Sequence, residues 1–395
     1  MNQNNVSIFF AGDFCSKPST SRISVDENLK SIIEGSDISI VNFEVPLRPE
    51  NTELPKVPYE RFFQNDDVPD FLRSLGFNLF SVANNHLFDW GEDGYCKTKK
   101  ALGNATFGAG TYDEAYEVKV CETNGLKLGF LALCYSARGG VFDDVLFQEG
   151  LGCAYLNDLK VNHIIIEAKK ELDYLFILPH AGVEYTDAPV PELIARYRDF
   201  IDYGADGVIA SHPHCPQGWE VYKEKPIFYS LGNFLFNSKN TYDFVAHRPY
   251  WYEGLCVKLN LCDGKISYEI INTRNVKNRE IIIDNSVERE NHNTYICELI
   301  RNKELYKSFV DIQLKDEAHL LLSEFFTRFF PKKWISFIKF QLRCLILRYR
   351  NKVFPLYNLS GYTIIHNDAN RAIIIRLFNK NKRYEKDNIR DTKTT

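Results

Sequence analysis

With 395 residues, 45% of them hydrophobic, 14% aromatic and 25% charged, the chain can bury a sizeable core and is excluded from the disordered and collagen-like classes. Its net charge of −4 hides a split: residues 301–395 hold 20 Lys and Arg against 9 Asp and Glu, and the residues before them 28 against 43. An acidic body with a basic tail gives no reason to expect nucleic acid as a partner; the tail suits an anionic surface or polymer, or simply a solvated basic face.

The ten cysteines form neither a CxxC pair nor a repeated short spacing, which argues against a disulfide framework and a thiolate zinc site. Polar residues 1–5 lead straight into an apolar stretch, without the charged and then long apolar segments of a secretory leader. No apolar run approaches the roughly 20 residues that cross a bilayer. The expected location is the cytoplasm, with membrane association at the inner face as an extension.

In chain order, the first buried strand is expected over Val6–Ala11 and the second over Ile38–Val41. A short helix over Pro69–Leu75 follows, with proline early and Gly76 at its exit. Strands over Leu79–Ala83, Tyr174–Leu178 and Gly207–Ala210 continue the series, and between the last two Leu193, Ile194, Tyr197, Phe200 and Ile201 mark one face of a helix from Pro191 to Gly204. This alternation is the rhythm of βα units feeding a parallel sheet. Two hairpins break it, at Asn124-Gly125 and Asp263-Gly264, because paired residues of positive φ match the twist of two-residue turns. Parallel units together with hairpins predict two sheets packed face to face between helices.

Beyond about residue 290 the pattern becomes helical, with stretches over Leu320–Phe330 and Lys332–Phe354. In the second, Ile335, Ile338, Leu342, Leu345 and Tyr349 line one face, and Lys332, Lys339, Arg343 and Arg350 another, with Trp334 at its start. Residues 332–354 therefore suit either packing on the main domain or a subunit, or a peripheral contact with an anionic membrane. The expected division is a main domain over 1–285 and a helical basic region over 286–395.

Five polar clusters follow the apolar strands: Gly12-Asp13; Asn42-Phe43-Glu44; Asn84-Asn85-His86 with Asp89; His180 with Glu184; and His212-Pro213-His214. Strand ends are where an α/β fold gathers its ligands. Any one of these residues could cap a turn or hold a backbone carbonyl; five in order, each after a strand, point to a shared site. Carboxylates, imidazoles and an amide form a hard-to-borderline donor set suited to Mn, Fe, Zn or Mg. Six such groups exceed what one tetrahedral ion takes and fit two divalent ions with a carboxylate bridging them. His163, His247, His292, His319 and His366 lack such settings.

The blocks GD, NFE, ANNHLFDWG, PHAGVEY, GADGVIASHPH and YSLGNF, spread over residues 5–275, resemble the CapA family of poly-γ-glutamate capsule synthesis proteins, a branch of the metallophosphoesterase-like superfamily. The resemblance implies a four-layer α-β-β-α sandwich of two mixed sheets, here followed by a mainly helical basic appendage. It places Asp13, Glu44, Asn85, His180, His212 and His214 at metal-ligand positions. His86 falls at the position of a catalytic histidine that is not a ligand, Asp89 is placed to orient it, and Gly232-Asn233-Phe234 matches a block beside the cleft. Asn42, Asn84, Glu184 and Asn233 are read as supporting or substrate-contacting residues. Three positions depart from the pattern: Asp13 is followed by Phe14 and Cys15 rather than by an Asp-x-His block, Glu44 stands where an aspartate is usual, and Ala181 follows His180 in place of tryptophan. One ion is accordingly expected to have fewer protein ligands.

The resemblance implies metal-dependent binding of an anionic polymer or its phosphorylated precursor during capsule or envelope-polymer biosynthesis. A hydrolase reading stands beside it, in which water activated by two metals attacks a phosphate ester in line and His86 protonates the leaving oxygen. A non-catalytic scaffold is the third reading.

Overall fold

The computed structural model describes residues 5–50, 61–135, 140–143, 148–238 and 248–309. The expected helices over Leu320–Phe330 and Lys332–Phe354, and with them the basic appendage, lie outside the described residues.

The chain opens with β1 (Val6–Ser16), β2 (Ser24–Val25), α1 (Glu27–Glu34) and β3 (Ile38–Phe43), then α2 (Val68–Ser74), β4 (Leu79–Ser81) and α3 (Gly91–Leu102). Short elements β5 (Thr106–Phe107), β6 (Ala109–Gly110) and α4 (Tyr112–Ala115) lead to the hairpin of β7 (Lys119–Thr123) and β8 (Leu126–Cys134). After β9 (Gly152–Cys153) come α5 (Lys160–Ala168), β10 (Tyr174–His180), α6 (Pro191–Asp202) and β11 (Gly207–Ile209). Strands β12 (Pro216–Tyr222), β13 (Lys225–Leu231), β14 (Asn233–Asn237), β15 (Glu253–Cys262), β16 (Lys265–Val276) and β17 (Glu280–Ile283) precede α7 (Val287–Arg301).

Two mixed sheets result. One runs β2-β17-β16-β15-β1-β3-β4-β5, with β14 added along the far part of β1; the other runs β12-β13-β11-β10-β8-β7. In the first, β1, β3, β4 and β5 are parallel and β15 joins β1 antiparallel. In the second, β8, β10, β11 and β13 are parallel, with β7 and β12 antiparallel at the edges. Every residue of β3 and β10 is buried, the pattern of parallel strands covered on both faces. The inner faces meet where Phe10 of β1 packs against Phe130 of β8 and Phe176 of β10, ring centroids 6.4 and 6.1 Å apart. Helices α1 and α2 bury Leu29, Ile33, Val68 and Leu72 in this core, and α6 turns Leu193, Tyr197, Phe200 and Ile201 inward on the other side. This is the four-layer sandwich.

Local chemistry accounts for the element ends. Asp26 accepts hydrogen bonds from Asn28 and Leu29 N–H at the start of α1, and Thr111 and Glu114 close a reciprocal capping box on α4. Both hairpins turn where the sequence placed them, with φ of 49° and 78° at Asn124-Gly125 and 51° and 75° at Asp263-Gly264. Two strands run further than the apolar runs that announced them, β1 from Ala11 to Ser16 and β10 from Leu178 to His180, whereas β4 and β11 stop short of theirs, at Ser81 and Ile209. The compact unit extends to Tyr306. Helix α7, which falls in the 286–395 region, packs against β12, where a Cβ on Gly218 would sit 2.3 Å from the Ile296 carbonyl oxygen. Among the described residues no helix is long and apolar enough to cross a membrane.

Candidate metal centre

The parallel strands of both sheets end along one edge, and the polar residues that follow them meet there, as strand ends do in α/β folds. A bulge separates Asp13 from Ala11 in the pairing of β1 with β3, after which Asp13 lies beside Asn42 and Phe14 beside Phe43. Glu44 leaves β3 immediately afterwards. From the other sheet, β10 ends on His180, and β11 leads through Ser211 to His212 and His214. Asn84, Asn85 and His86 arrive on the loop after β4.

The contacts are short and buried. Asn42 Nδ2 donates to Asp13 Oδ1 at 2.7 Å and lies 3.1 Å from His180 Nδ1. Nε2 of His180 is 2.9 Å from Asn85 Oδ1 and 3.1 Å from His212 Nδ1. The backbone N–H of His212 donates to Asp13 Oδ2 at 3.1 Å. Glu44 Oε1 sits 3.7 Å from Nε2 of both His180 and His214, and Asp13 lies 3.6 and 3.5 Å from Nδ1 of the same two rings. Asp13 and Glu44 are entirely shielded from solvent, and His180, His212, His214 and Asn85 nearly so. The structure thus gathers all six residues that the sequence assigned to metal positions.

Two of these residues occupy costly backbone regions. His212 has φ of 102° and His214 of 58°, conformations that side-chain-bearing residues adopt only when the surroundings impose them, at on the order of 1–3 kcal/mol each. Val45, next to Glu44, has φ of 82°, and Gln64 Nε2 braces it by donating to the carbonyls of Glu44 and Val45 at 2.8 and 3.0 Å.

Burial pushes the Asp13 carboxyl above the usual aspartate value, partly opposed by His214, the Asn42 amide, the His212 N–H and Ser211. Burial also drives His180 well below the ordinary histidine value, assisted by repulsion from His212, His214 and His86. Two buried carboxylates beside a His180 ring held below its ordinary value favour a bound cation, and donor atoms of Asp13, Glu44 and His180 all lie within 4.8 Å of one another. Carboxylate oxygen and imidazole nitrogen are the donors that divalent Mn, Fe or Zn prefer. The residues fit a divalent metal.

The remaining sequence-assigned residues surround this group. His86 Nδ1 is 2.8 Å from Asp89 Oδ2, which also accepts from the Phe62 N–H at 2.9 Å. Asn84 is a backbone brace: its Nδ2 donates to the Phe43 and Val82 carbonyls at 3.0 and 3.2 Å, and its Oδ1 accepts from the His86 N–H. Asn233 holds His214 Nδ1 at 2.9 Å. Glu184, read as the group orienting His180, is half-buried on the turn beyond it, and Nδ1 of His180 is met by Asn42 and by Ser211 Oγ at 3.2 Å. Ser211 and Gln64 were missed in the sequence. Ser211 precedes the histidine pair at a strand end, a signal that could have found it; Gln64 follows no strand and carries none.

Residues 7–238, more than half of the chain, match the family described as bacterial capsule synthesis protein PGA_cap. The chain belongs to that family. It is similar to the capsule biosynthesis protein CapA of Bacillus anthracis, 29% identical over 227 residues covering 54% of either chain. The PGA biosynthesis protein CapA of Bacillus subtilis strain 168 is 28% identical over 219 residues, 54% of this chain and 57% of its own. The chain therefore spans about half the length of the curated relatives it matches. A solved phosphatase from Mycoplasma pneumoniae, 16% identical, covers 68% of this chain and 94% of its own with a TM-score of 0.41. The resemblance read from the six sequence blocks is borne out, and every side chain gathered at the PGA_cap site, from Asp13 to Asn233, lies inside the matched span. Trp251 and α7 lie beyond it.

Proposed function

We propose that this PGA_cap protein acts in the biosynthesis of a capsule or envelope polymer of the poly-γ-glutamate type, using a divalent-metal centre, most simply of two ions, to bind the anionic polymer or its phosphorylated precursor. The observation that carries the proposal is the meeting of Asp13, Glu44 and His180 within 4.8 Å, in the part of the chain that matches the capsule family. Asp13, Glu44, Asn85, His180, His212 and His214 would hold the metal. Bound there, divalent ions supply Lewis acidity toward an oxyanion and lower the pKa of a water molecule. The protein's own contribution is to fix the donors: Asn42 and Ser211 set the His180 ring, and Asn233 sets His214. The test is deletion of the gene followed by complementation. Wild type should restore cell-associated polymer and His180→Ala should not; restoration by both would overturn the proposal.

The His86–Asp89 pair favours hydrolysis of a phosphate ester as a second reading. Asp89 holds Nδ1 of His86 at 2.8 Å, which fixes the ring and stabilises its protonated form, so that Nε2 can deliver a proton to a leaving oxygen. Purified protein assayed with Mn and an aryl phosphate should then show turnover that disappears in Asn85→Ala; a rate unchanged by that substitution would remove the reading. Membrane contact through residues 332–354 is a further proposal that lies outside the described residues.

A further inference from the structure

The orientation of the Asn233 amide is settled by its neighbours. Its Nδ2 donates to two backbone carbonyls, those of His214 and Trp251, each at 3.1 Å. Carbonyls only accept, so turning the amide over would set oxygen against oxygen twice. Oδ1 is thereby directed at Nδ1 of His214, 2.9 Å away. Facing a fixed acceptor, that nitrogen must carry the hydrogen. Asn233 is 2% exposed, which leaves no room for solvent to take over its part.

In the neutral ring with its hydrogen on Nδ1, Nε2 of His214 presents a lone pair, and it lies 3.7 Å from Glu44 Oε1. Two lone-pair atoms held at that separation in a buried site repel one another, whereas a cation between them would be bound by both. The backbone delivers the amide to this place: β14 pairs in parallel with β1 so that Asn233 stands opposite Asp13. Gly232, in the left-handed region at φ of 66°, turns its carbonyl to accept the Asp13 N–H at 3.0 Å.

We propose that Asn233 is a positioning residue of the metal centre: it locks His214 in the Nδ1–H form and aims Nε2 at Glu44 as a ligand atom. The same amide, through the Trp251 carbonyl, ties the segment before β15 to the centre. This rests on the metal-binding reading, and its test separates the two. Titration of wild type, Asn233→Ala and Asn233→Asp with Mn ions alone is followed by calorimetry, with folding checked by thermal melting. Loss of the acceptor in Asn233→Ala should weaken Mn binding about 10- to 100-fold; Asn233→Asp keeps an acceptor oxygen opposite Nδ1 but sets its other oxygen against the His214 and Trp251 carbonyls, so it should melt lower than wild type while binding Mn more tightly than Asn233→Ala. Nitrogen-15 spectra of histidine-labelled wild type should show His214 protonated at Nδ1 and bare at Nε2, with a mixture of forms in Asn233→Ala.

Equal Mn affinity in all three proteins would overturn the role of Asn233 and leave the metal reading standing. Wild type that binds no Mn would end the metal reading, and the histidine spectra would still decide the tautomer. If Asn233→Ala does not fold, the tautomer in wild type decides: His214 protonated at Nε2 overturns the proposal.

Discussion

Gly12 faces Gly232 so closely that a Cβ on Gly12 would lie 1.9 Å from the Gly232 carbonyl oxygen. The obstacle is backbone, which cannot swing aside, and the same carbonyl accepts the N–H of Asp13. Gly12→Ala should therefore separate β1 from β14, destabilise the protein by about 3 kcal/mol or more and weaken metal binding with it. Denaturant unfolding in parallel with metal titration checks this; a stable variant with intact binding would show that the strands can part without disturbing Asp13.

Asp187 is a buried carboxyl whose pKa is pushed up to about 6 from 3.8, chiefly by burial and further by Glu253, with His292 opposing. Between those values the folded state holds the proton more tightly than the unfolded state, so the protein loses stability as pH rises from about 4 to about 6 and gains none of it back above. Asp187→Asn should match wild type near pH 4 and exceed it at pH 7 to 8 by up to roughly 3 kcal/mol. Melting temperatures measured across that range test the sign; two parallel curves would contradict it.

Arg289 on α7 is fully buried, with its guanidinium 3.1 Å from Glu253 Oε2 and 3.2 Å from the Gly254 carbonyl. Removing the guanidinium leaves Glu253 with His292 Nδ1, 2.7 Å from Oε2, as its close partner, so Arg289→Met should cost up to about 3–5 kcal/mol, and adding Glu253→Gln should restore part of it. A double-mutant cycle by urea unfolding reads the coupling. Additive effects would mean that the pair does not act as a unit.

On the hydrolytic reading, His86→Ala should lower kcat for an aryl phosphate ester about 10²- to 10⁴-fold without changing metal content, because His86 is held by Asp89 and is not one of the six proposed ligands. A parallel loss of metal would place His86 among the ligands instead.

Much of this was legible in the sequence because chain order and strand order agree at the site. Asp13, Glu44, Asn85, His180, His212 and His214 each follow an apolar strand, and parallel strands must end on the same edge. The hairpins were legible for an equally local reason, since Asn124-Gly125 and Asp263-Gly264 carry their own backbone preference. What could not be read was anything set by long-range register. Gln64 reaches the carbonyls of Glu44 and Val45 from a segment with no strand signal. Asn42 and Ser211 meet at His180 only because two sheets face each other. Helix α7 was grouped with the C-terminal region on its helical pattern, while its packing depends on Gly218 lying under Ile296, which no local pattern announces.

The central claim is that buried carboxylates and imidazoles from both sheets hold divalent metal. Elemental analysis of protein purified without added metal, beside His180→Ala and Glu44→Gln prepared identically, tests it most directly. Stoichiometric Mn, Fe or Zn in wild type, depleted in both variants while their folds persist, is the predicted result; wild type that carries no such metal and takes none up on dialysis against it would contradict the account.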